Sequence, residues 1–462
     1  MVPKFTYPKQ HCTSRLIVFG LLLVIAFRLF ADGLADRLDS IQSANNLSVF
    51  NQQLDIIIKE TLSQNHSLKA AAAKIDQADA IARSKSAYSP PRFEIGAMDA
   101  SLKSFPNPFA DQMNMDYSLE QMIMFPGKLS KMKKAELKRK EMVLYDKKKI
   151  ESELILKMKS AFYGIYLIDR QLAINNASQS LVSSIIDIAR TRYEVGTGKQ
   201  ADILSAQTEL SIIRKSVAVL EQQRISMSSM INALRNRPVD TPIETIPEIV
   251  PHQFNITYDE LQKKALENKS DLKSMVANVE MKQIENAASR MEWFPDFIIK
   301  GTYSDVRPVS ASNDPMNAEF GITTSATNPD RWSIMVGLTI PEVPWYWKKI
   351  SAGQQQTKSA VIAAEEELAE VKNMIMSEVY SVSAEIQSNQ RQMYVIMSMQ
   401  LPQAQMALES AFASYQTGSE EFTMLFGAHR TLLMTRGDYH MAVVNFLTSI
   451  AKVEQIIGIG LE

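Results

Sequence analysis

Cysteine is almost missing from this chain, whose 462 residues hold a single one, Cys12. Disulfide frameworks and thiolate metal centres are thereby excluded, a composition that suits an oxidising compartment. Histidine is nearly as scarce. His66, His252, His429 and His440 form no pair at the i,i+4 spacing with which a helix offers two ligands to one metal, and His11 lies in the N-terminal segment. An excess of one charge is lacking too. The 50 basic residues face 51 acidic ones, a formal net charge of −1, so no global basic field points to nucleic acid. Nor is there a phosphate-cradling glycine loop or a nucleophile elbow. No catalytic residue, metal, cofactor or nucleic-acid partner is therefore expected, and the chain reads as a non-enzyme.

What is present begins at the N-terminus. Lys4, Lys9 and Arg15 precede the apolar run LIVFGLLLVIAF (Leu16–Phe27), and Gly33-Leu34-Ala35 offers a small-x-small cleavage site. This is the layout of a secretory signal peptide over residues 1–35. The run is shorter than the roughly 20 residues of a helical span, and Arg28 ends it. Cys12 precedes the run, whereas a lipid-modified cysteine would follow it. After cleavage the chain would hold no cysteine and carry 46 basic and 50 acidic residues. Export is the expectation.

The rest of the chain is written twice. LDIIIKETLSQNHSLKAAAA (Leu54–Ala73) matches YDELQKKALENKSDLKSMVA (Tyr258–Ala277) at an offset of 204, which also pairs Pro91 with Pro295 and Phe93 with Phe297. RYEVGTGKQADILSAQ (Arg192–Gln207) matches SYQTGSEEFTMLFGAH (Ser414–His429) at an offset of 222. Each copy sets a tyrosine three residues before a glycine and then resumes a helical rhythm. The glycines, Gly196 and Gly418, permit the positive φ that ends one helix and frees the next.

The helices after these corners carry seams in one register. One runs Ile203, Ala206, Leu210, Ile213, Val217, Leu220, Met227, Ile231 and Leu234, with Arg224 as its lone exception. The other runs Leu425, Ala428, Leu432, Tyr439, Ala442, Phe446, Val453 and Ile456, with Thr435 and Ser449 as its weak positions. Such heptad-like seams predict coiled-coil packing against neighbouring helices.

Between the helices the period falls to two. Phe93–Lys103, Met113–Glu120, Phe297–Ser304 and Trp332–Ile340 read as strands with one apolar face, joined by polar loops. Four strands are too few to close a membrane barrel, which needs about 8. If they enter a membrane, their edges must be paired by further copies of the chain. The domain plan is thus a first repeat over 36–236 with a hairpin near 92–125, a proline-rich linker over 237–254, and a second repeat over 255–462 with a hairpin near 296–341. The 25 methionines read as packing filler rather than soft-metal ligands.

These features, with MFPGKLSKMKKAE (Met124–Glu136) at the exit of the first hairpin, resemble the TolC-like outer-membrane efflux proteins over essentially the whole mature chain. The resemblance implies a mainly α fold with a small β part. Three chains would each give four strands to a shared 12-stranded β-barrel, and their long helices would form a tunnel through the periplasm. It implies an exit duct of a tripartite efflux or type I secretion system. The partners would be a periplasmic membrane-fusion (adaptor) protein, an inner-membrane pump of the resistance-nodulation-division or ABC type, and outer-membrane lipid. It places adaptor contacts at Tyr193, Gly196, Asp202 and Ala206 in one corner and Tyr415, Gly418 and Ala428 in the other. Several relatives ring the entrance with aspartates where this chain has Met424 and Gly427; Glu420 and Glu421 stand nearby as replacements. The rival expectation is a periplasmic coiled-coil scaffold or adaptor with a soluble sheet.

Overall fold

The structure, a computed structural model, describes residues 45–98, 106–107, 114–251, 254–306, 329–341 and 343–461. The expected signal segment, most of both strand loops, the strand residues beyond Met98, and Met113 lie outside these. In chain order the elements are α1 (residues 45–64), α2 (His66–Lys85), β1 (Arg92–Met98), β2 (Asn114–Ile123), α3 (Lys128–Glu194) and α4 (Gln200–Leu234). Then follow α5 (Tyr258–Asn268), α6 (Ser270–Ser289), β3 (Phe297–Val306), β4 (Arg331–Leu338) and α7 (Pro344–Val395). A π turn (Ile396–Gln400) leads into α8 (Leu401–Thr417), and α9 (Phe422–Ile457) ends the series.

The two halves repeat element by element. The α1–α2 break at Asn65 and the α5–α6 break at Lys269 are 204 residues apart, as are the bounds of α2 and α6. At the first break Asn65 accepts from the Ser67 N–H at 2.9 Å and donates to the Leu234 carbonyl at 3.0 Å. It thus caps α2 and ties it to the end of α4.

Helix α3 runs unbroken for 67 residues, about 100 Å at 1.5 Å per residue. Its counterpart is interrupted for one covalent reason. Pro402 has no N–H, and its ring crowds the carbonyl four residues back. The helix responds by widening, so that the Leu401 N–H bonds the Ile396 carbonyl five residues back. The matching position in α3 is Ser180, and no widening occurs there.

The described chain forms two compact units, each assembled from both sequence halves. One gathers the segment ending at Leu68 with Glu151–Glu267 and Met376–Glu462. Its core packs Phe50 of α1 on Phe162 of α3, ring centroids 5.2 Å apart, with Met158, Tyr166, Ile231 and Val443 around them. The seam's exception has its partner here. Arg224 donates to the buried Asp169 at 2.6 Å and to the Ile243 carbonyl at 3.0 Å. Asp169 also accepts from the Ile246 N–H at 3.0 Å. The proline-rich segment is therefore extended but sunk into the core, with Ile246 and Ile249 fully covered. Thr435 and Ser449 are buried after all, because each hydroxyl returns to its own helix backbone, at 2.8 Å and 2.7 Å.

His440 of α9 is buried in the same unit, 3.2 Å from the Tyr166 hydroxyl and 3.8 Å from Glu248. Burial, helped by the nearby Arg170, holds its pKa down at about 4. The unfolded chain binds this proton near pH 6.5 and the folded chain does not. The resulting stability is present above pH 6.5 and is lost as pH falls toward 4. Unfolding at pH 5 should cost about 2 kcal/mol less than at pH 7 on this account. His440→Gln should flatten that part of the pH profile, read by thermal unfolding at both pH values.

The other unit holds Lys69–Ile150 and Asn268–Ile375 and is built on the sheet. The strand order is β1-β2-β3-β4, all antiparallel. The register alternates rung by rung. Ile95, Tyr117, Tyr303 and Trp332 lie side by side on one face, and Glu94, Ser118, Thr302 and Ser333 on the other. Glu94 on the polar face pairs with Lys300 at 2.9 Å. Where the strands meet the helices, Asp296 binds the Phe125 N–H at 2.8 Å and the Lys128 ammonium at 3.2 Å, and its own N–H donates to the Thr339 hydroxyl at 2.8 Å. This one side chain ties the exit of the first hairpin to the start of the second.

Candidate docking corners and membrane-facing sheet

Both corners close by the same backbone device. Gly196 has φ +78° and Gly418 φ +82°, a region a side chain at either position would strain. The Gly196 N–H bonds the Tyr193 carbonyl and the Thr197 N–H bonds that of Arg192; Gly418 and Ser419 repeat this on Tyr415 and Ser414. Such paired returns satisfy the last carbonyls of a helix. Even the hydroxyls repeat, Thr197 on the Arg192 carbonyl at 3.2 Å and Ser419 on that of Ser414 at 3.1 Å.

The side chains, by contrast, divide. Tyr193 is 48% exposed, whereas its counterpart Tyr415 is 2% exposed and packs edge-on against Phe422 at 5.7 Å. Ala206 is fully buried in the cluster that holds Tyr415, Leu425 and Phe426. Ala206 and Tyr415 therefore lie beneath the surface of the corners, whereas Tyr193 stands out from it. Ala428 and Asp202 are half-buried, and Glu420 and Glu421 are exposed. Asp202 lies in the first turn of α4, where an anion favours the helix dipole. The matching residue in α9, Met424, is exposed.

The residue that joins the corners is Arg192, which the pattern alone did not single out. Its guanidinium donates to the Tyr415 carbonyl and stands 4.8 Å over the Tyr415 ring. The sequence signal was the inequality of the pair, since the equivalent position holds Ser414. Below it, Arg430 of α9 reaches Glu209 of α4 at 2.7 Å. Burial raises the Tyr415 phenol pKa, and the Asp202 carboxylate adds to the rise. That hydroxyl is buried with no hydrogen-bond partner among the described residues.

The second candidate surface is the apolar face of the sheet. Phe93, Ile95, Leu119, Ile334, Val336 and Leu338 stand exposed on it, and Trp332 is 77% exposed. A soluble sheet would cover such a face against a core. Strands β1 and β4 each leave one edge without a strand partner among the described residues. Among those residues no helix is long and apolar enough to cross a membrane.

Comparison with known proteins agrees with this geometry. No curated protein matches the sequence significantly. Among solved structures, the outer-membrane channel OprN superposes with a TM-score of 0.72 at 15% identity, over 88% of this chain and 90% of that one. The outer membrane protein VceC of Vibrio cholerae gives 0.71 at 14%, over 89% and 97%. The CmeC outer membrane channel of Campylobacter jejuni gives 0.65 at 14%, over 90% and 88%. At these identities the likeness is one of fold. A model of the outer membrane efflux proteins matches residues 57–235 and 261–459, the two repeated halves. The chain belongs to the outer membrane efflux protein family.

Proposed function

We propose that the chain is one of three that close a passive exit duct in the outer membrane, fed by a periplasmic adaptor and an inner-membrane pump. The observation that carries this reading is the sheet. Its apolar exposed face and polar opposite face fit lipid outside and a wet lumen inside. Free strand edges are not tolerated in hydrocarbon, so β4 of one copy would pair with β1 of the next. Three copies of four strands make 12, above the ~8 that a barrel needs. The chain does no chemistry of its own in this role, and the pump, of the resistance-nodulation-division or ABC type, supplies the energy.

The corners are the proposed adaptor seat. Tyr193, Gly196, Asp202, Gly418 and Ala428 would meet the partner, while Ala206 and Tyr415 hold the corner shape beneath them. Glu420 and Glu421, exposed beside Gly418, would supply any acidic ring at the entrance.

Engineered cysteines test both surfaces, because Cys12 is the only native one. Cysteine pairs scanned along β1 and β4 should give a disulfide ladder that stops at three copies. Single cysteines at Lys199 or Glu420 should crosslink to the adaptor. A ladder running past three, or adaptor crosslinks confined to the strand end of the chain, would overturn the assignment.

A further inference from the structure

The segment PWYWKK (Pro344–Lys349) opens α7 just beyond β4 and has no role in the duct described so far. Trp345 is 82% exposed, and Trp347 and Lys348 are exposed beside it. Trp345, Lys348 and Lys349 stand three and four residues apart, on one face of the helix. The start of α3 is the neighbour of this turn. Tyr346 and Lys349 line the same cleft, about 450 Å³, as Lys128 and Met132 of α3. Just beyond, Lys133 and Lys134 are exposed.

Two physical facts constrain what this patch meets. An indole left open to water is unfavourable, and its amphipathic ring is best placed at a membrane–water boundary. The patch is continuous with such a boundary, because it follows directly on the apolar band of β4. The lysines add a sign. Neither α3 nor α7 has an acidic residue in its first turn, so these turns supply no carboxylate to the lysines that follow. Lys133, Lys134 and Lys348 make no ion pair among the described residues, and Lys349 lies 5.0 Å over the Tyr346 ring. The carboxylates of the same cleft, Glu136, Glu285 and Glu292, are paired with Arg139, Lys282 and Lys128, so an external anion would pair with these lysines.

We infer that this turn of α7, with the start of α3, binds the anionic headgroups of phospholipids in the leaflet facing the periplasm. Trp345 and Trp347 seat in the interface, and Lys348, Lys349, Lys133 and Lys134 neutralise phosphates. The site fixes the height of the barrel in the membrane by a contact other than the barrel wall. It rests on the outer-membrane reading above.

The test uses the full-length chain purified from outer membranes and delipidated in mild detergent. Lipid retention is read by native mass spectrometry with phosphatidylglycerol or phosphatidylcholine added, and indole depth by quenching with brominated forms of both lipids. Phosphatidylglycerol should be retained preferentially. At about fivefold per lysine near an anionic surface, Lys348→Gln with Lys349→Gln should lower that retention by roughly 25-fold. Oligomer size should not change. Trp345→Ala should weaken retention of both lipids. The exposed pair Lys358→Gln with Lys372→Gln, elsewhere on α7, should leave retention as it was. Equal retention of the two lipids by membrane-inserted protein overturns this inference alone, as does equal loss in the control pair or full displacement by inorganic phosphate. Recovery of the unsubstituted chain in the soluble fraction overturns the exit-duct reading, and this one with it.

Discussion

Asp169→Ala should lower the unfolding free energy by about 3–5 kcal/mol, the usual cost of breaking a buried ion pair from one side. The carboxylate is almost wholly buried and holds two groups at once, the Arg224 guanidinium at 2.6 Å and the Ile246 N–H at 3.0 Å. Its loss leaves a guanidinium facing a cavity and strands a covered N–H. It also loosens the segment through Ile246 and Ile249, which fill the core around Phe50 and Tyr166. Asp169→Asn should cost less, because an amide oxygen can still accept from Ile246. Replacing both partners with leucine should recover most of the loss, short of the ~1–3 kcal/mol owed to the orphaned N–H. Thermal unfolding by far-ultraviolet circular dichroism ranks the three. If Asp169→Ala matches the wild type, the pair is ornamental and the segment is held by its isoleucines alone.

This pair also marks where local pattern stopped informing. The repeat, the seam register, the strands and the glycine corners were legible because each rests on periodicity or on a backbone need that only glycine meets. Arg224 read as a flaw in a seam because its reason lies 55 residues away, in Asp169. The proline-rich segment read as a plain connection, since nothing in its composition marks Ile246 and Ile249 as core. Pro402 was visible but its remedy was not. A helix given a proline can kink, stop or widen, and the surrounding packing selects the π turn. Tyr193 and Tyr415 are matched in sequence and opposite in burial because one lies toward solvent and the other under Arg192. Equivalence in a repeat extends to the backbone and no further. The same limit hid the PWYWKK turn, whose residues look like an ordinary helix start until their exposure is known.

Arg192→Ala should open the corners and raise the conductance of the purified channel in planar bilayers severalfold. Among the described residues, Arg192 is the side chain at the tip that hydrogen-bonds from the last turn of α3 to the last turn of α8. A charged hydrogen bond to a helix-terminal carbonyl is worth about 1.5–3 kcal/mol and a cation over an aromatic face about 0.5–2 kcal/mol. Discounted for the half-exposed guanidinium, the two together come to about 2 kcal/mol per chain, a shift of about 30-fold in a closed-to-open equilibrium. The Glu209–Arg430 pair is too exposed on its arginine side to replace them. Arg192→Lys should restore only part of the closed state, because an ammonium lacks the planar fork that serves carbonyl and ring at once. Tyr415→Phe discriminates the mechanism. Its hydroxyl has no hydrogen-bond partner among the described residues, so removing it should leave conductance unchanged, since the carbonyl and the ring that Arg192 grips both remain. If Tyr415→Phe opens the channel as far as Arg192→Ala does, the restraint runs through the hydroxyl, whose pKa the Asp202 charge already raises. If neither substitution changes conductance, the corners are not where the duct is held shut.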